Sequence, residues 1–150
     1  MSNGEKQYIT FKLEEDYGIE LTRIKEIIRN QELTVVPDTP KFILGILNLR
    51  GIAVPVIDLR KLFQLPHKEL DEYAVIIVLE ILGRLVGMLV DGVSDMINIK
   101  EEEITAPPKF TDRKGTKFIK GMFEKEKKFI MLLDSDKIFS ADEIEIIDGV

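Results

Sequence analysis

The sequence predicts an all-β fold built as two small barrels, and three observations carry that prediction. The apolar residues suit pleated surfaces: isoleucine occurs 21 times and valine 10 times, but alanine only 4 times in 150 residues. β-branched side chains fill half-buried strands better than helices. Short apolar runs, stopped by Gly, Pro or charged clusters, recur along the whole chain, as strands and turns would. The chain also repeats itself. Residues 45–63 (GILNLRGIAVPVIDLRKLF) lie over residues 121–139 (GMFEKEKKFIMLLDSDKIF) without a gap. Gly45 meets Gly121, Asp58 meets Asp134, Lys61 meets Lys137 and Phe63 meets Phe139. A weaker match precedes it, pairing Gly18 with Gly87, Leu21 with Val90, Ile24 with Val93, Glu26 with Asp95 and Ile28 with Ile97. Two copies of about five strands each must hide their edges, and closed barrels do so.

Taken in order, Tyr8–Leu13 alternates apolar and polar residues and reads as a strand. A turn at Glu14–Asp16 leads to a second strand, Tyr17–Leu21. Leu21, Ile24, Ile27 and Ile28 then recur at helical spacing behind Thr22, which predicts a short helix over Thr22–Arg29. Leu33–Val36 reads as a brief strand stopped by Pro37 and Pro40. Gly45–Arg50 and Ile52–Leu59 form a hairpin about Gly51, followed by a helical turn at Arg60–Phe63. His67–Glu72 is a charged connector. Val75–Leu82 is almost wholly apolar, as a strand buried on both faces would be, and Gly83 turns it into Arg84–Val90. Glu101–Lys117, with Pro107-Pro108, reads as a long loop. Ile119–Phe123 and Phe129–Leu133 make a last hairpin, Asp134–Phe139 a short helix, and Ser140–Val150 a helical tail.

Composition narrows the function. The net charge is −6, with no basic tail or patch, so the chain lacks the electrostatic footprint of a nucleic-acid binder. Cysteine is absent and histidine occurs once, at His67, which removes disulfides, thiol nucleophiles and multi-histidine metal sites. No stretch reaches the ~18 apolar residues of a membrane span, and the first residues carry no signal-peptide pattern, so a cytoplasmic location is expected.

Catalytic chemistry is hard to assemble from what remains. His67 sits in a polar connector, and no serine lies in a G-x-S-x-G elbow. No phosphate loop or dinucleotide fingerprint is present, so no cofactor is expected. Glu101–Glu103 points its carboxylates in different directions. Asp58 and Asp134 precede helical turns, where they read as N-caps. A small β-barrel enzyme working through carboxylates is the alternative to a binding module. The binding reading has more to build on. Arg50, in Asn48-Leu49-Arg50-Gly51, is either a hairpin-end surface residue or a guanidinium positioned for recognition. Phe110 either tucks onto its own barrel or anchors an interface.

At this point the chain resembles the CheW-like chemotaxis coupling proteins, over about residues 7–140. The most specific stretch is Phe42–Phe63, FILGILNLRGIAVPVIDLRKLF; Val86–Ile97 and the stretch from Tyr17-Gly18-Ile19 through Glu26-Ile27 are also similar to family motifs. The resemblance implies two five-stranded SH3-like barrels packed together, with subdomains near 14–65 and 73–140 and terminal segments that pack across them. It implies a signalling adaptor rather than an enzyme, joining the cytoplasmic tips of methyl-accepting chemoreceptors to the regulatory domain of the chemotaxis histidine kinase. It implies no metal, no cofactor and recruitment to membrane-associated receptor arrays. Kinase binding is then expected at Leu21, Ile24, Glu26 and Phe110. Receptor binding is expected at Gly45, Asn48, Arg50, Val75, Val86 and Gly87. Glu26 and Arg50, opposite in charge, are expected to pair.

Overall fold

The computed structural model describes residues 4–107, 117–139 and 141–149. Ten strands form two five-stranded sheets, each curled into an SH3-like barrel. The first sheet has the order β8-β1-β2-β10-β9 and the second β3-β6-β7-β5-β4. The strands are β1 (Glu5–Leu13), β2 (Glu15–Glu20), β3 (Ile24–Arg29), β4 (Ile43–Leu49), β5 (Ile52–Asp58), β6 (Val75–Ile81), β7 (Arg84–Val90), β8 (Gly92–Lys100), β9 (Ile119–Lys125) and β10 (Lys128–Leu133). Among the described residues the helical elements are α1 (Leu59–Leu62), α2 (Ala141–Asp148) and three 3-10 turns.

The two repeat copies do not each build a barrel. The first sheet takes β1 and β2 from the first copy but β8, β9 and β10 from the second. The second sheet takes β3, β4 and β5 from the first copy and β6 and β7 from the second. The expected subdomain spans, 14–65 and 73–140, therefore each contribute strands to both sheets. The chain changes barrel at Leu21–Arg23 and again at Asp91.

The repeat residues hold matched places across this exchange. Gly18 faces Leu132 in the parallel pair of β2 with β10, and Gly87 faces Val56 in the parallel pair of β7 with β5. Asp58 and Asp134 both cap the turn that follows, accepting from the backbone N–H of Lys61 and of Asp136 respectively. Thr34 bridges Ile46 beside Gly45, and Thr105 bridges Met122 beside Gly121.

Three expectations need correction. The helix over Thr22–Arg29 is instead a 3-10 turn, Leu21–Arg23, followed by β3. The spacing of Ile24, Ile27 and Ile28 mimics a helix, but a register shift after Ile24 and pairing with β6 make the segment a strand. The strand predicted at Leu33–Val36 shrinks to the single Thr34–Ile46 bridge. β8, which the sequence reading left without a strand, spans nine residues and pairs along β1.

The largest apolar cluster belongs to both barrels. It joins Phe11, Leu13, Tyr17 and Ile19 of the first sheet to Ile57, Ile77, Leu79 and Met88 of the second, with Ile147 of α2 closing one side. A row of rings runs through it: Phe11 stacks on Tyr17 at 5.9 Å, Tyr17 meets Phe63 at 5.8 Å, and Phe63 stacks on Phe118 at 5.5 Å. Such a shared core fixes the barrels against each other.

Candidate functional site

The β4–β5 turn is a two-residue hairpin closed by the pair Leu49–Ile52. Its central residues, Arg50 and Gly51, both have positive φ, at 50° and 88°, the geometry of a type I′ turn. The Asn48 side chain reinforces the turn, its Oδ1 accepting from the Gly51 N–H at 2.8 Å. This conformation points Arg50 across to β3, where the guanidinium donates twice to the Glu26 carboxylate, each bond 3.0 Å. The sequence expectation of a Glu26–Arg50 pair holds. The two-pronged match of guanidinium and carboxylate fixes both side chains in direction. The hydrogen bond to Arg50 lowers the Glu26 carboxyl pKa, and the same bond raises that of Arg50. β3 and β4 are the outer strands of their sheet, so the pair spans the seam where the curled sheet meets itself. The Arg50 side chain is still 73 % exposed, so a partner has access to it.

The remaining predicted residues divide into surface and interior. Leu21 is half-buried in the 3-10 turn, and Ile24 is half-buried against the shared core. The exposed apolar side chain of β3 is Ile27. Val75 is half-buried at the start of β6, opposite Arg29 and Val90. Three predicted receptor contacts are interior. Val86 is buried in the shared core. A Cβ on Gly87 would meet the Ile76 Cγ2 at 2.8 Å, and one on Gly45, where φ is +154°, would meet the Thr34 carbonyl oxygen at 2.5 Å. Their small size lets strands close up beneath the surface that Asn48 and Arg50 present. Phe110 lies outside the described residues.

Two features escaped the sequence reading. The first barrel carries its own seam pair: Lys125, at the end of β9, reaches Asp95 of β8 at 3.4 Å. The repeat alignment had already paired Asp95 with Glu26, which was the available signal. The other feature is a buried charge cluster. Arg60 of α1 donates to both oxygens of Asp91 at 2.9 and 2.6 Å, to Glu14 at 2.7 Å and to the Pro66 carbonyl at 2.7 Å. Burial alone would raise the Asp91 pKa; the Arg60 guanidinium outweighs it and holds the carboxyl below its ordinary range. An arginine flanked by the buried Leu59 and Leu62 is the sequence signal for this cluster.

Among the described residues, no group of three or more His, Cys, Asp or Glu side chains could hold a metal ion. Nor is any helix among them long and apolar enough to cross a membrane. His67 is exposed in the connector, beside Glu69.

Comparison with known proteins places this geometry. The family model of the CheW-like domain matches residues 7–143. A chemotaxis protein CheW of Klebsiella aerogenes is 36 % identical over 146 residues, covering 97 % of this chain and 88 % of its own. The chemotaxis protein CheW of Thermotoga maritima is 31 % identical, covering 97 % of this chain and 94 % of its own. The crystal structure of the scaffolding protein TtCheW from Thermoanaerobacter tengcongensis superposes with a TM-score of 0.83 at 36 % identity, covering 92 % of this chain and 94 % of that one. With a matched family model, curated relatives over nearly its full length and the same paired-barrel fold, the chain belongs to the CheW-like domain family of chemotaxis proteins.

Proposed function

We propose that the protein is a non-enzymatic adaptor that couples the cytoplasmic tips of chemoreceptors to the chemotaxis histidine kinase, in the cytoplasm beneath receptor arrays. The observation that carries this reading is the exposed Glu26–Arg50 fork across the seam of the second sheet. It ties the segment assigned to the kinase, Leu21, Ile24 and Glu26, to the segment assigned to the receptor, Asn48, Arg50 and Val75. An adaptor needs two partner surfaces on one rigid body, because linked sites raise each other's effective concentration. Gly45, Val86 and Gly87 serve the receptor surface by shaping it from beneath. Phe110 is the kinase contact on the other barrel and completes the assembly of adaptor and kinase into arrays.

The test is a titration of Arg50→Glu and Ile27→Asp variants against a receptor cytoplasmic fragment and the isolated kinase regulatory domain, with kinase activity read in the three-component mixture. The adaptor reading expects each variant to remain folded, to lose affinity for at least one partner, and to lose receptor control of the kinase. Unchanged binding to both partners with intact kinase control would sink it. Phe110→Ser is expected to spare binary binding and reduce array assembly in a co-sedimentation assay.

A further inference from the structure

The two places where the chain changes barrel are held by ion pairs of opposite polarity. At the second crossover Asp91 lies on the connecting segment, and Arg60 reaches it from the turn after β5. At the first crossover Arg23 lies on the connecting segment, and Asp136 meets it from the turn after β10, at 3.2 and 2.9 Å. Arg60 and Asp136 occupy matched places, each two residues beyond a capping aspartate, Asp58 or Asp134. The duplicated scaffold thus keeps the contact and inverts its charges.

The two contacts differ in strength. Arg60 and Asp91 are each only 7 % exposed, and Glu14, Pro66 and Lys68 add further bonds to them. Arg23 and Asp136 are 42 % and 41 % exposed, and their side chains meet in a two-pronged bond. Buried pairs with extra hydrogen bonds resist separation, whereas exposed pairs open readily. The crossover at Leu21–Arg23 is therefore the looser joint, and it leads directly into Ile24 and Glu26 of β3.

We propose that Arg23–Asp136 is a positioning contact: it fixes the first crossover against the first barrel and so sets the placement of the Leu21–Glu26 segment. The role in docking rests on the kinase reading above; the positioning itself does not. The contact acts on a partner only through the segment it holds, since preorganising a docking segment lowers the ordering cost of binding.

Asp136→Asn tests this by hydrogen–deuterium exchange of the free protein. Amides of Leu21–Glu26 should exchange several-fold faster, while Val86–Asp91 stay unchanged. The double reversal Arg23→Asp with Asp136→Arg gives this crossover the polarity of the other and should restore slow exchange. A titration with the kinase regulatory domain should show affinity falling by about threefold to tenfold in Asp136→Asn and recovering in the double variant, with the melting temperature nearly constant. Unchanged exchange at Leu21–Glu26, an increase spread evenly over both barrels, or no rescue by reversal would each overturn the positioning role. Should the unaltered protein bind no kinase domain, the docking reading fails, and exchange alone decides for or against the positioning contact.

Discussion

Replacing Gly45 by alanine tests whether this glycine, expected from sequence at a partner surface, acts from inside the barrel. The new Cβ would sit 2.5 Å from the Thr34 carbonyl oxygen and 3.1 Å from the Leu33 Cβ. That oxygen accepts from the Ile46 N–H at 2.8 Å, and the Thr34 N–H donates to the Ile46 carbonyl at 2.9 Å. Relief of the clash must push residues 33–35 away and break one or both bonds, at about 1 kcal/mol each. A φ of +154° adds a conformational cost for any residue with a Cβ, about 1–3 kcal/mol. The sum is about 2–5 kcal/mol, which lowers the melting temperature of a chain this long by about 4–20 °C. Gly121 supplies the internal control. Its Cβ would meet the Ile104 Cγ2 at 2.3 Å and the Thr105 carbonyl at 3.1 Å. The nearest obstacle is the branch methyl of Ile104, which yields only by a change of χ1 or a small shift, and no positive φ adds to it, so Gly121→Ala is expected to cost about 1–3 kcal/mol. Thermal melts followed by circular dichroism compare the two. A Gly45→Ala melt within about 3 °C of the original, or a larger loss at Gly121, would refute the backbone-contact argument.

Asp91→Ala leaves the Arg60 guanidinium buried without its main partner and is expected to cost about 3–5 kcal/mol in urea unfolding. Stability should fall on acidification below about pH 4. The Asp91 and Glu20 carboxyls are desolvated yet held below their ordinary values by Arg60 and by Lys6, so their contribution is complete above the unfolded pKa and lost as pH drops through the folded one; pH-dependent unfolding checks the sign. In a carboxyl NMR titration Glu26 should titrate below the ordinary glutamate range, and Arg50→Ala should return it to that range. Ile24→Asp places a charge against the shared core and should lower the melting temperature, whereas Ile27→Asp on the exposed face should not; equal melts would contradict the assignment of faces.

The parts that were legible in the sequence are those fixed by local chemistry. Arg50-Gly51 announces a hairpin because a type I′ turn needs two positive φ angles. Asp58 and Asp134 announce caps because their carboxylates serve nearby N–H groups. The Glu26–Arg50 pair was reached by charge and by resemblance together. What stayed hidden depends on distant partners. β3 reads as a helix until β6 lies beside it, since three isoleucines in six residues satisfy both periods loosely. Gly45, Val86 and Gly87 stand in segments that the resemblance ties to a partner, and only the closeness of Thr34 and Ile76 shows them to be spacers. Arg60 is a surface-type residue by composition, and its burial is set by Asp91 and Glu14, far along the chain in both directions.

The exchange of strands between the repeat copies has a consequence for the chain's divisibility. A cut in the connector His67–Glu72 yields one piece with β1–β5 and another with β6–β10. Neither piece owns a barrel: the first holds two strands of one and three of the other, and the second holds the complement. A fragment made alone leaves strand edges open and half of its core in water, and it becomes whole only by clasping a complementary fragment. A single copy of the repeat faces the same arithmetic. Its sheets are completed only by the strands of a second copy. The two halves cross at Leu21–Arg23 and at Asp91.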